Sequence, residues 1–140
     1  MVQGQSIMTA ASLSAAADYQ QKPDAIDGSH LERMTLGDRR LEREVLELFV
    51  RQTGIMLNRI AGAEPALAAA AAHTLKGSAR GIGAWRVARA AEFLEHAAAA
   101  LCGEAEVEDA IEELKAASLE ASAAIGVRLT ALLAELARDR

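Results

Sequence analysis

The residues with the clearest capacity for chemistry are one histidine and two cations on a single predicted helical face. His73, Lys76 and Arg80 follow each other at intervals of three and four residues, which places them on successive turns of an α-helix. Imidazole is a neutral nucleophile near pH 7, because its ordinary pKa is about 6.5. Nearby cations stabilise the charge that develops on a phosphoryl group in transfer. The pattern therefore favours a histidine that accepts and releases a phosphoryl group, with Lys76 stabilising its charge.

Small residues surround this histidine on the same face. Gly77 lies one turn after His73, and Ala69 and Ala70 lie one turn before it. Glycine is unfavourable inside a helix, so its presence here indicates a need for open space. We therefore predict that a partner protein docks over the imidazole. The predicted docking face consists of Gly77, Arg80, Ala69 and Ala70.

The opposite face of this helix is predicted to be buried, which turns His73 towards solvent. The predicted buried positions are Leu67, Ala71, Leu75, Ser78 and Ile82. A carboxylate on the following helix is a candidate partner for the imidazole. If the two helices pack antiparallel, Glu95 reaches the Nδ1–H of His73, fixes the tautomer and raises the nucleophilicity of Nε2. Glu92 lies further out on the wheel and is less well placed.

Local signals predict where the helices begin and end. Asp38 is predicted to cap a long helix that ends near Gly62. Pro65 is predicted to open the histidine helix, because proline is tolerated in a first turn. Gly81 and Gly83 are predicted to end it. Two more helices are predicted, over about residues 84–101 and 107–137.

Apolar residues recur in these helices at intervals of three and four, as in one face of an α-helix. In the first long helix the predicted buried residues are Leu41, Val45, Leu48, Phe49, Ile55, Met56 and Ile60. Short connections between amphipathic helices favour an antiparallel arrangement. We predict an all-α protein, an up-and-down four-helix bundle with an additional short N-terminal helix.

The predicted domain division places an N-terminal extension at residues 1–29 and the bundle at residues 30–140. The extension is predicted to be partly flexible or to form a short alanine-rich helix over Met8–Tyr19, followed by a linker that contains Pro23 and Gly28. Hydrophobic residues make up 51% of the chain and aromatic residues 3%. A composition dominated by alanine and leucine favours packed helices.

Charge and cysteine content exclude several classes of function. The net charge is −5 and no basic stripe is present, so we expect no nucleic-acid partner. The three histidines lack metal-ligand spacing, and Cys102 has no cysteine partner, so we expect no metal and no cofactor. No apolar run reaches the roughly 20 residues that span a bilayer, and the N-terminus does not read as a signal peptide. A cytoplasmic protein without a membrane partner is expected.

Several of these segments together resemble the signature of histidine-containing phosphotransfer (HPt) domains. The similar segments are His73-Thr74-Leu75-Lys76-Gly77-Ser78, then Ile82-Gly83-Ala84, then Phe93-Leu94-Glu95. Ala25-Ile26-Asp27, Gly37-Asp38 and Leu46 to Phe49 resemble the segments that precede the motif in this family. The resemblance implies a four-helix bundle, phosphorylation of His73 at Nε2, and roles for Lys76 and Gly77. Arg80 and Trp85 depart from the usual pattern and are expected to alter partner preference.

The resemblance implies that the protein is a stoichiometric phosphocarrier. Its implied partners are the receiver domain of a hybrid histidine kinase and the receiver domain of a response regulator. Two alternatives stay open. One is the detached phospho-acceptor domain of a chemotaxis-type histidine kinase, and the other is a non-catalytic docking bundle. No glycine-rich nucleotide loop is present, so we expect no autonomous kinase activity. A self-contained bundle predicts a monomer.

Overall fold

A computed structural model describes residues 24–100 and 102–139. This part of the chain contains five helices and no strand. They are α1 (Gly28–Met34), α2 (Arg39–Ile60), α3 (Pro65–Ile82), α4 (Trp85–Ala99) and α5 (Glu104–Arg138). The all-α prediction is thus confirmed. The helix predicted over Met8–Tyr19 lies outside the described residues.

Three predicted helix boundaries are observed. The Asp38 side chain accepts hydrogen bonds from the backbone N–H groups of Arg40 and Leu41 at the start of α2. Pro65 is the first residue of α3. Gly83 ends α3 in the left-handed conformation, with φ of 79°. The prediction that Gly81 also marks this end is wrong, because the helix continues through it to Ile82.

The four long helices form a closed ring in which α2 contacts α3, α3 contacts α4, α4 contacts α5, and α5 returns to α2. Ion pairs show the direction of α3 and α4. Arg80 pairs with Glu92, and Lys76 pairs with Glu95. Residue numbers rise along α3 as they fall along α4, so the two helices are antiparallel. The short connections impose the same relation on the other neighbours.

The buried stripe of α2 is narrower than predicted. Leu41, Leu48 and Ile55 are exposed, so their predicted burial is wrong. The buried residues of α2 are Glu42, Leu46, Phe49, Thr53, Met56 and Ile60. They follow intervals of three and four without interruption. The stripe is narrow because α2 packs only on α3 and α5 among the long helices, and its remaining surface is exposed to solvent.

The buried stripe of α3 is rotated relative to the prediction. Leu67 and Ser78 are exposed, whereas Ala68 and Ala79 are buried. The physical reason is close packing: α3 has its most extensive contact with α4, and small side chains let two helices approach. The alanine residues Ala68 and Ala79 therefore pack in the interface, and the larger Leu67 beside them lies at the surface. In the observed rotation of α3, His73 still lies on the outer side of the helix.

The length and apolar composition of α5 would allow it to cross a membrane. Core helices of globular bundles meet the same criterion. In the structure, Leu114, Ala121, Ile125 and Leu132 of α5 are buried against the other helices. The helix therefore has an inner face that belongs to the bundle.

Candidate functional site

The site is centred on His73, which lies in the middle of α3. Its side chain is 66% exposed, while Ala72 and Leu75 on either side of it are buried. Burial of these neighbours fixes the rotation of α3 about its axis. The imidazole therefore stands out from the bundle surface, where another protein can reach it.

Glu95 of α4 holds the imidazole. Its Oε2 lies 2.6 Å from Nδ1 of His73, the contact that an antiparallel arrangement of these helices predicts. An ionised carboxylate only accepts hydrogen bonds, so Nδ1 carries the proton and donates it. The neutral ring then has its lone pair on Nε2. In this tautomer Nε2 is the ring nitrogen that has a lone pair available for nucleophilic attack.

Lys76 lies on the other side of the same carboxylate. Its Nζ is 2.6 Å from Oε1 of Glu95, and only 13% of its side chain is exposed. The hydrogen bond from Lys76 holds the pKa of Glu95 below its ordinary value, and the hydrogen bond from His73 lowers this pKa further, against the opposing effect of burial. The carboxylate is therefore ionised at neutral pH and shared by the two side chains.

This geometry gives Lys76 a contact that the sequence did not predict. The lysine was expected to lie free beside the phosphoryl group, whereas in the structure its ammonium group is engaged with Glu95. An ammonium group on the carboxylate also opposes metal binding there. Among the residues that the structure describes, no three His, Cys, Asp or Glu side chains cluster as metal ligands would.

Arg80 carries a positive charge two turns beyond His73. Its Nη2 lies 3.5 Å from Oε2 of Glu92, and half of the side chain is exposed. An exposed pair at this distance contributes little to stability. The guanidinium is therefore available to an approaching acidic surface at small cost.

The residues that were predicted to form a docking face lie around the imidazole. Ala70 and Gly77 are exposed, and Ala69 is half-buried. A Cβ atom added at Gly77 would meet no atom within 4 Å outside its own helix backbone. The fold itself therefore does not require glycine at this position, although glycine costs about 1 kcal/mol in a helix relative to alanine.

A shallow groove between α2 and α3 adjoins this face, and the sequence did not predict it. The groove has a volume of about 340 Å³. It is lined by Met56, Arg59, Leu67, Ala70, Ala71 and Thr74. Leu67 was assigned to the core, although its spacing of seven residues from Thr74 puts both on one side of the helix. An exposed apolar side chain in a groove beside His73 extends the surface that a partner would meet.

The α3–α4 turn is fastened to the segment before α1. The backbone N–H of Asp27 donates to the carbonyl oxygen of Gly83, and Nε1 of Trp85 donates to Oδ2 of Asp27 at 3.0 Å. This second bond lowers the pKa of Asp27. His30 packs edge-on against Trp85 and donates from Nε2 to the carbonyl oxygen of Arg80. His30 and Trp85 thus anchor the end of the histidine helix.

Comparisons with known proteins show what this chain is similar to. A family model described as Hpt domain matches residues 44–139. The structure resembles a rice protein assigned as a histidine-containing phosphotransfer protein, with a TM-score of 0.70, 14% identity, and coverage of 92% of this chain and 95% of that chain. It also resembles the histidine phosphotransferase ShpA from Caulobacter crescentus, with a TM-score of 0.55, 31% identity, and coverage of 78% and 98%. No curated protein sequence matches the chain.

Proposed function

The chain belongs to the Hpt domain family, whose role is histidine phosphotransfer in phosphorelays, and from this premise we propose the residues and partners of the transfer. His73 takes a phosphoryl group from a receiver-domain aspartate of a hybrid histidine kinase. It passes the group to a receiver-domain aspartate of a response regulator. The observation that carries this proposal is the hydrogen bond between Glu95 and Nδ1 of the exposed His73.

The transfer itself exchanges one bond for another. The lone pair of Nε2 attacks the phosphorus atom of the acyl phosphate, and the bond from phosphorus to the aspartate oxygen breaks. The electron pair leaves with the aspartate carboxylate. The phosphorylated ring keeps its proton on Nδ1 and gains positive charge, which the carboxylate of Glu95 stabilises. The second transfer runs through the same step in reverse, with His73 as the leaving group.

Lys76 has two roles in this proposal. Its ammonium group keeps Glu95 ionised, because the hydrogen bond to Oε1 is the largest cause of the lowered pKa of that carboxyl. It also places positive charge one turn from His73, where it stabilises the phosphoryl oxygens. The first role makes Lys76 a positioning residue that acts through Glu95.

Receiver docking uses the small residues and the groove around the imidazole. Gly77 and Ala70 leave the approach open, Leu67 offers apolar contact, and Arg80 offers charge. The carrier is proposed to act as a monomer in the cytoplasm. It is proposed to have neither a nucleic-acid nor a membrane partner, and it needs no cofactor of its own.

A labelling experiment tests this function. The full chain is incubated with a phosphorylated receiver domain, with a histidine-kinase catalytic domain and ATP, and with ATP alone. We expect acid-labile label from the receiver only. His73→Gln should abolish it, whereas His96→Gln, which alters an exposed histidine of α4, should leave it unchanged.

The other outcomes identify the alternatives. Label from the kinase catalytic domain but from no receiver would indicate the detached phospho-acceptor domain of a chemotaxis-type kinase. Receiver binding without acid-labile label from any donor would indicate a non-catalytic docking bundle. Label that survives His73→Gln would refute His73 as the acceptor.

A further inference from the structure

Two side-chain hydroxyls lie inside the bundle, one on α2 and one on α5. Thr53 of α2 and Ser118 of α5 are each only 2% exposed. Among the residues that the structure describes, neither hydroxyl oxygen has a hydrogen-bond partner. A buried hydroxyl without a partner costs free energy, because it has lost its hydrogen bonds to water. Each of these hydroxyls therefore needs a partner that no described residue supplies.

The two hydroxyls lie at the same level of the bundle. Arg128 of α5 pairs with Glu42 of α2, and a second ion pair joins the same two antiparallel helices. Thr53 follows Glu42 by 11 residues, and Ser118 precedes Arg128 by 10 residues. At 1.5 Å per residue these separations are about 16.5 Å and about 15 Å. Thr53 and Ser118 therefore differ in height by only about 1.5 Å.

Both residues belong to the inner faces of their helices. Thr53 is part of the buried stripe of α2, and Ser118 is part of the buried stripe of α5. Their neighbours along the two stripes are apolar: Phe49, Met56, Leu114, Ala117 and Ala121. Helices α2 and α5 are in contact. The two hydroxyls therefore form one polar site in apolar surroundings.

Thr53 differs from the other threonines that the structure describes. The hydroxyls of Thr35, Thr74 and Thr130 each donate to the carbonyl oxygen four residues earlier, at 2.8 Å, 3.2 Å and 3.0 Å. This bond to the preceding turn is a common way for a threonine in a helix to satisfy its hydroxyl. Thr53 makes no such bond, so its hydroxyl is free for a partner outside its own helix.

We propose that Thr53 and Ser118 together bind one buried water molecule between α2 and α5. A hydroxyl both donates and accepts hydrogen bonds, so a single water can donate to one oxygen and accept from the other. Buried water molecules make roughly two to four hydrogen bonds to polar groups that lack other partners, and the two hydroxyls provide two of them. The site lies inside the α2–α5 interface, whereas His73 stands on the outer side of α3, so it is independent of the phosphotransfer function.

A direct hydrogen bond between the two hydroxyls explains the structure less well. The side chains lie at one height, yet they form no such bond. Making it would require another side-chain rotamer or a closer approach of the two helices. A bridging water needs neither change, and its hydrogen bonds are nearly as favourable as direct ones.

Oxygen-17 relaxation dispersion of the solvent tests the proposal, because it counts the water molecules that a protein holds for longer than it takes to tumble. The full chain is compared with its Thr53→Val, Ser118→Ala and double variants. We expect the double variant to hold one such water molecule fewer than the parent chain. Thr130→Val removes an exposed hydroxyl that is bonded within α5, and it should leave the count unchanged.

Urea unfolding of the same variants gives a second measurement. Each single substitution leaves the water and the remaining hydroxyl with too few partners, so each should lower the urea concentration at the midpoint. The double variant removes both hydroxyls together with the water. Its midpoint should therefore lie above that of either single variant, which is a non-additive effect of two coupled residues.

The remaining outcomes overturn the proposal. An unchanged water count in the double variant would show that no water is held between Thr53 and Ser118. An unchanged count, combined with a double variant that is more stable than either single variant, would identify a direct hydrogen bond between the two hydroxyls. Losses of stability that add in the double variant would show that the two hydroxyls have separate partners.

Discussion

Glu95 and His73 are joined by a hydrogen bond of 2.6 Å across two helices, although 22 positions separate them in sequence. The bond determines which nitrogen of the imidazole carries the proton. The second oxygen of the same carboxylate accepts from Lys76. A substitution at any one of these three side chains should therefore change the hydrogen bonding of the other two. The effects on the transfer rate and on the pKa of Glu95 can be measured separately.

Replacing Glu95 by glutamine should slow phosphotransfer about tenfold without unfolding the bundle. The amide oxygen can still accept from Nδ1, but a neutral acceptor stabilises the charged phosphoimidazole less by about 1.4 kcal/mol. The rate constant of transfer from a phosphorylated receiver measures the effect. Glu92→Gln on the same helix is the control, and an equal loss in both variants would argue against a specific role for Glu95.

Replacing Lys76 by methionine should raise the pKa of Glu95 towards its ordinary value of 4.5, because Lys76 is the largest cause of the lowering. An NMR titration of the side-chain carboxyl carbon measures this shift. Lys115→Met, in an exposed lysine of α5, should leave the pKa unchanged. An unaltered titration of Glu95 in Lys76→Met would contradict the shared-carboxylate arrangement.

The same substitution should change how stability depends on pH. A carboxyl group whose pKa is lowered by folding stabilises the protein above its unfolded pKa, and this contribution is lost as the pH falls through the folded value. Lys76→Met should therefore reduce the fall in the free energy of unfolding between about pH 5 and pH 3. Urea unfolding at several pH values provides the measurement.

Substitutions of Gly77 by residues with different side chains should affect receiver docking and protein stability differently. Gly77→Ala is expected to stabilise the protein by up to about 1 kcal/mol, because an added Cβ meets open space and alanine favours the helix. Gly77→Gln should keep the fold but weaken receiver binding and slow transfer. Gly54→Gln, at an exposed glycine of α2 with equal space, should leave binding intact. Unchanged transfer in Gly77→Gln would refute the access role.

Gly83→Ala should have the opposite effect on stability. The residue has φ of 79°, and an added Cβ would lie 3.0 Å from Cβ and 3.1 Å from the carbonyl oxygen of Asp27. We expect a loss of about 1–3 kcal/mol in the free energy of unfolding, from backbone strain and from displacement of Asp27. Thermal and urea unfolding measure it, and stability equal to that of the parent chain would disprove the close approach.

The sequence by itself determined the helix boundaries at Asp38, Pro65 and Gly83 and the outward position of His73. These features depend on local geometry. A capping residue, a proline or a glycine determines a helix end within one turn. The rotation of 100° per residue determines which residues of one helix lie on the same face. Periodicity did not decide between Leu67 and Ala68 for the core, because the predicted and the observed stripe share Ala71, Leu75 and Ile82 and differ only by a rotation about the helix axis. Close packing of α3 against α4 determined that Ala68 is buried and Leu67 is exposed.

Only the tertiary structure decided that one carboxylate serves both His73 and Lys76. The sequence placed Glu95 near the histidine as a hypothesis, but left Lys76 free to point at the phosphoryl group. Which residue of α4 lies level with which residue of α3 depends on how far the helices slide along each other. Side-chain packing across the whole interface sets that distance, and no spacing within a single helix contains it.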